Sequence, residues 1–159
     1  MYILGITHPI SSTNAAVIVN DGEVISAVEE ERFVRIKQAP KMFPFHSIDW
    51  CIKNAGINDK DIDIIGIGWD GYHDKEEIKN KFTEFQQDEK NLFIECFELE
   101  KNFLKYLKNR FPSAKIIFVR HHLAHAASSC FVSGFDKSLF LTLDARGEYE
   151  SGLVGIYDK

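Results

Sequence analysis

Three β-rich runs stand in a row at the start of this chain, Tyr2 to Ile6, Ala15 to Asn20 and Glu23 to Val28, and the joint Asn20-Asp21-Gly22 limits how they can be arranged. Asp-Gly between alternating apolar residues signals a tight hairpin, because both central positions of the favoured turn need positive φ. Pro44 then begins a helical pattern, with Ile48, Cys51 and Ile52 at i, i+3, i+4 spacing and Gly56 as its C-terminal cap. Asp61 to Gly68 reads as a short apolar strand. From Lys75 to Phe111 the pattern is helical, lined by Phe93, Phe97, Leu104 and Leu107 and stopped by Pro112. Lys115 to Val119 is a further strand, His121 to Val132 a short helix, Ser138 to Asp144 another strand, and Gly152 to Tyr157 the start of one more.

The order is βββαβαβα, then ββ, which predicts an α/β fold with a mixed sheet. By analogy it is similar to the ribonuclease H-like lobe, of which actin-like ATPases (the ASKHA fold) contain two. On that reading residues 1–136 form the first lobe and residues 137–159 the opening hairpin of a second, truncated lobe; a plain single α/β domain is the alternative. A length of 159 residues suits one well-buried domain with the opening strands of another. With 45% hydrophobic and 27% charged residues and only four prolines, the chain is expected to be ordered throughout.

A net charge of -5 gives no long-range field for a polyphosphate backbone, so nucleic acid is a poor partner. Cys51, Cys96 and Cys130 are widely spaced and fall in no CxxC pair, which fits buried thiols in a reducing compartment. No run approaches the roughly 20 apolar residues of a membrane span, and the N-terminus lacks the features of a signal peptide. A cytoplasmic protein is the expectation.

Three of the six histidines fall within His121-His122-Leu123-Ala124-His125. On a helix, Leu123, Ala127, Cys130 and Phe131 are expected to form the apolar stripe, with His121 and His125 one turn apart on the opposite side. Two such imidazoles can share one divalent ion if a third ligand comes from elsewhere. Asp144, at the carboxyl end of an apolar strand, is the candidate. A pair of solvated surface histidines is the bland alternative. His122, about 100° round the helix from His121, is given a supporting catalytic role behind the ligands or against a phosphate. His46 and His73 read as solvated or capping groups, and His8 has no assigned role.

Arg32, Arg35, Lys37 and Lys41 occur between positions 32 and 41 with no acid among them. If extended, Arg35 and Lys37 lie on one side and suit a bound anion, Lys as a point charge and Arg as a two-pronged donor. The alternative is a solvated run in which Glu30 pairs with Arg32. Asp144-Ala145-Arg146-Gly147-Glu148 reads as a turn whose backbone N–H groups, at Arg146 and Gly147, could face nucleotide phosphates.

Taken together, Leu4-Gly5-Ile6, the Asn20-Asp21-Gly22-Glu23-Val24 hairpin, Glu29-Glu30-Glu31-Arg32-Phe33-Val34-Arg35-Ile36-Lys37, His121-His122-Leu123-Ala124-His125-Ala126 and Leu143-Asp144-Ala145-Arg146-Gly147-Glu148 resemble the NodU/CmcH-type O-carbamoyltransferases over the whole chain. The hydrogenase-maturation carbamoyltransferase and the tRNA threonylcarbamoyl transferases are more distant relatives of that family. The resemblance implies that His121, His125 and Asp144 match metal ligands, with iron as the metal and a fourth carboxylate from chain beyond Lys159. It implies that carbamoyl phosphate is broken down, that the carbamoyl group is activated on ATP, with Mg, as carbamoyl adenylate, and that a hydroxyl of a small molecule attacks it. Lys37 matches a position that holds carbamoyl phosphate.

The chain departs from the pattern at Ser11-Ser12, where many relatives carry His-Asp in the first loop and which are taken as substrate contacts. It departs again at Gln38 for a His and at Ala145 for a Gly. A fragment inactive without its C-terminal lobe is the leading expectation. A non-catalytic actin-like module that binds metal or a phosphorylated small molecule is the alternative from another class, and a small metal-dependent hydrolase a third.

Overall fold

The computed structural model describes residues 1–11, 13–69, 87–148 and 150–159, the side chains of 87–94 and 146 excepted. Ser12, His73, the expected helix start at Lys75 and the side chains of Phe93 and Arg146 therefore lie outside the described residues. The N-terminal ribbon forms as the turn signal requires. β1 (Tyr2–Ile6), β2 (Ala15–Asn20) and β3 (Glu23–Glu29) pair antiparallel, and Asn20 faces Glu23 across a turn with Asp21 at φ 49° and Gly22 at φ 89°.

α1 (Glu31–Val34) and α2 (Phe45–Asn54) follow, then β4 (Ile62–Ile67), α3 (Gln87–Arg110), β5 (Lys115–Phe118) and α4 (His121–Cys130). β4 lies parallel to β1, and β5 parallel to β4, so the sheet order is β3-β2-β1-β4-β5. β6 (Lys137–Gly147) and β7 (Glu150–Asp158) pair with each other in a separate two-stranded sheet. This is the expected α/β architecture.

Alternation along the strands decides where the core sits. Leu4, Ile6, Ala16, Ile18, Ile65 and Ile67 point to one face and are buried there by Ile48, Cys51 and Ile52 of α2 and Phe103 and Leu107 of α3. Phe103 is at the centre of the α3 face, stacked on Phe43 at 5.0 Å; an aromatic in this position is worth roughly 3–5 kcal/mol against truncation. Arg110 ties the end of α3 to Asp49 (2.6 Å) and Asp59 (2.9 Å). Gly56, at φ 69°, ends the α2 segment as its spacing indicated.

Two expectations are corrected. The basic segment is not extended: it turns through α1 and then carries Arg35, Gln38, Ala39 and Lys41 at positive φ. Buried Asn14 holds that path, donating its backbone N–H to the Gln38 carbonyl (3.1 Å) and its amide to the Ala39 carbonyl (2.6 Å). Nor does Glu30 pair with Arg32, which contacts Glu29 and Glu31 instead. The buried Glu30 carboxylate accepts from the Ser47 backbone N–H (2.8 Å), the Ser47 hydroxyl (2.7 Å) and the His46 backbone N–H (3.2 Å), capping α2 from another element. The exposed His46 ring lies 2.6 Å from the same carboxylate.

The β6–β7 hairpin has two unlike faces. Thr142 is turned inward towards α4, whereas Leu139 and Ile156, and Leu141 and Val154, form cross-strand pairs that are 65–79% exposed, with Leu143 beside them. No helix of the described residues is long and apolar enough to cross a membrane.

Candidate metal centre

Because β1, β4 and β5 run parallel, their carboxyl ends emerge at one edge, where α/β sheets gather their functional groups. Each delivers a ring in the loop or helix that follows. His8 comes after β1, Trp69 after β4 and His121 after β5, with His8–Trp69 centroids 6.2 Å apart and Trp69–His121 centroids 5.0 Å apart. His8 is buried, its Nε2 3.4 Å from the Glu100 carboxylate of α3.

α4 begins at His121, and His125 sits one turn on. Thr142 and Asp144 of β6 face this helix, Thr142 meeting His122 and Asp144 meeting His121 and His125. His121 Nε2 lies 2.9 Å from Asp144 Oδ2, His125 Nε2 3.0 Å from His121 Nε2, and His125 Nε2 3.6 Å from Asp144 Oδ2. These three atoms therefore converge, the two histidines through their helical spacing and Asp144 from the strand end. Three donors of a tetrahedral ion, each about 2.0–2.1 Å from it, stand about 3.3 Å apart, which the three separations bracket. The donor set of two imidazoles and one carboxylate suits a borderline transition metal, so the residues fit such an ion. Hydrogen bonding from His121, and then from the Ala145 backbone N–H (2.6 Å), holds the Asp144 carboxyl below the usual carboxylate range. An ionised, oriented carboxylate is the form a cation needs.

Of the two positions expected for His122, the one against a phosphate is corrected. His122 is buried, and both ring nitrogens are engaged: Nε2 lies 3.1 Å from the Glu150 carbonyl and Nδ1 2.9 Å from Thr142 Oγ1. A carbonyl only accepts, so Nε2 carries the proton and Nδ1 accepts from the threonine hydroxyl. Thr142 Oγ1 in turn accepts from the Leu153 backbone N–H (3.1 Å). His122 thus bolts α4 to both strands rather than facing a phosphate. The apolar stripe is corrected with it: Leu123 and Phe131 are exposed, while His122, Ala126 and Cys130 form the buried face.

The turn expected at Asp144 to Glu148 is also different. β6 continues to Gly147, and between the pairs Leu143–Gly152 and Gly147–Glu150 it holds Asp144, Ala145 and Arg146 against Ser151 alone. Such a bulge re-aims side chains. Gly147 is buried against the His121 ring, and Glu148 caps α4 by accepting from the His121 backbone N–H (3.1 Å). Sequence reasoning missed Trp69, Thr142 and Glu148; only Trp69 had a signal, as the residue next but one after an apolar strand. Arg35 and Lys37 are exposed on the loop after α1, and Ser11 donates its backbone N–H to the His8 carbonyl (2.8 Å). Among the described residues no hydrogen bond or ion pair joins Arg35 or Lys37 to the three donors.

A family model described as carbamoyltransferase N-terminus matches residues 2–159. The nodulation protein NolNO of Sinorhizobium fredii is 38% identical over 146 residues, 89% of this chain and 21% of that protein. The Synechocystis protein sll1178 is 31% identical over 161 residues, 93% of this chain and 26% of that protein. The chain thus spans about a fifth to a quarter of the length of these relatives. Among solved structures, YeaZ from Pseudomonas aeruginosa superposes with a TM-score of 0.55 at 10% identity, over 99% of this chain and 60% of that one, a likeness of fold.

Proposed function

The chain belongs to the carbamoyltransferase N-terminus family, and from that premise we propose that it is the first lobe of an enzyme that carbamoylates a hydroxyl of a small molecule. In this reading water hydrolyses carbamoyl phosphate to carbamate and inorganic phosphate, the carbamate oxygen attacks the α-phosphorus of ATP and displaces pyrophosphate to give carbamoyl adenylate, and the acceptor hydroxyl, losing its proton, attacks the carbamoyl carbonyl and releases AMP. The observation that carries the reading is the convergence of His121, His125 and Asp144 at the carboxyl edge of the sheet.

Those three residues would hold a divalent metal, iron by family resemblance. Such an ion would supply positive charge to phosphate oxygens. Lys37 and Arg35, on a loop whose backbone Asn14 fixes, would hold carbamoyl phosphate, with Ser11 and Ser12 on the first loop as further substrate contacts. Arg146 and Gly147 lie on the bulged end of β6, where the nucleotide phosphates and their Mg would approach. Catalysis of this kind rests on positioning, charge stabilisation and exclusion of water from a labile carbamate.

The same reading divides the chain into a first lobe over residues 1–136 and the opening hairpin of a second over residues 137–159. The separate β6–β7 sheet and its exposed apolar face support that division. The partner of that face would be polypeptide equivalent to the rest of the longer relatives.

The test uses the full-length protein with carbamoyl phosphate, ATP and candidate hydroxyl acceptors, following AMP release. Metal content is measured in parallel before and after His121→Ala and His125→Ala. Wild-type protein should retain a metal that both variants lose together with AMP release; unchanged metal content in both variants would remove the metal from the proposal.

A further inference from the structure

Gly147 lies in the bulge of β6, and an added Cβ there would fall 2.3 Å from His121 Cδ2, 2.9 Å from His121 Cγ and 3.0 Å from His122 Cδ2. Its backbone does not require glycine: the described glycines at positive φ are Gly22, Gly56 and Gly134. The demand at position 147 is therefore for space alone. The two atoms that would be struck hardest belong to one of the three convergent donors, near the root of its ring, and the third to the neighbouring His122. The His121 ring is already confined, since Trp69 abuts it and its Nε2 is drawn to Asp144.

We propose that Gly147 is a positioning residue of the metal centre: by carrying no side chain it leaves the room in which the His121 ring turns Nε2 towards Asp144 and His125. The proposal rests on reading the three donors as a metal site. It assigns the β6 corner a joint action on one histidine, with Asp144 opposite its ring nitrogen, Gly147 beneath the ring and Glu148 capping its backbone.

The experiment titrates Co2+ into the full chain, reading its visible absorption spectrum and binding heat, in wild type, Gly147→Ala, His121→Ala and the double variant. Misplacing a ligand through its support is expected to weaken binding by about 10–100-fold. In the His121→Ala background, Gly147→Ala should have little further effect, because both contacts under 3.0 Å are gone and only the looser one with His122 remains. Wild-type affinity in Gly147→Ala, or an equal loss in both backgrounds, would overturn the proposal, the latter by showing a general disturbance of the hairpin. A wild type that takes up no Co2+ would instead refute the metal reading beneath it. Should Gly147→Ala fail to fold, the double variant is expected to recover wild-type circular dichroism; a double variant equally unfolded would also count against the proposal.

Discussion

Glu30 shows how one buried carboxylate can join three elements. Its burial works to raise its pKa, but hydrogen bonds from Ser47 and His46 outweigh that, and the net shift is downward from the ordinary value of 4.5. A carboxyl with a lowered folded pKa contributes stability that is fully present above its unfolded value and is lost as pH falls through the folded one. Glu30→Gln should therefore cost about 1.5–3 kcal/mol near neutrality, the range for hydrogen bonds to a charged group. Urea midpoints should differ most between about pH 6 and 8 and converge below about pH 4.5; a difference that persists unchanged in acid would contradict this account. The role was illegible in the sequence, where Glu30 is one of three consecutive glutamates and Ser47 lies well downstream.

At the scale of elements, α4 carries both the site and its fastening. The spacing of His121 and His125 was readable, since i and i+4 share a helix face whatever the helix packs on. Which face is buried was not. Leu123 and Phe131 outrank histidine on any hydrophobic scale, yet the helix turns His122 inward because Thr142 and the Glu150 carbonyl satisfy both its nitrogens. Thr142→Val keeps the shape but strands the buried His122 Nδ1 and the Leu153 N–H. It should lower stability by about 1–3 kcal/mol, seen as a reduced urea midpoint at constant slope. Thr142→Ser should recover most of the loss, whereas equal losses in the two variants would deny the hydroxyl its role. The loop after α1 teaches the same lesson: its charges were legible, but its left-handed backbone is imposed by Asn14, some 20 residues earlier in the chain.

For the whole molecule, the five-stranded sheet is covered on its core face, while Leu139, Leu141, Leu143, Val154 and Ile156 of the hairpin remain on the surface. A contiguous apolar face of this kind marks an interaction surface and, left uncovered, an association hazard. The isolated 159-residue chain should bind a hydrophobic dye and self-associate in sedimentation. Leu141→Lys with Val154→Glu should suppress both in the isolated chain and impair folding of the longer, two-lobed protein proposed above. If the double substitution leaves full-length folding and activity untouched, the face has no partner within that protein.

By itself the sequence determined most of the local elements, the N-terminal hairpin and the shared helix face of His121 and His125, because turn chemistry, alternation and helical spacing act over a few neighbouring positions. Only the tertiary structure decided the buried face of α4, the capping of α2 by Glu30, the inward bolt of His122 and the space that Gly147 leaves for His121. Those depend on which distant groups meet in three dimensions, where a hydrogen bond satisfied or a Cβ omitted outweighs the preference a residue shows alone.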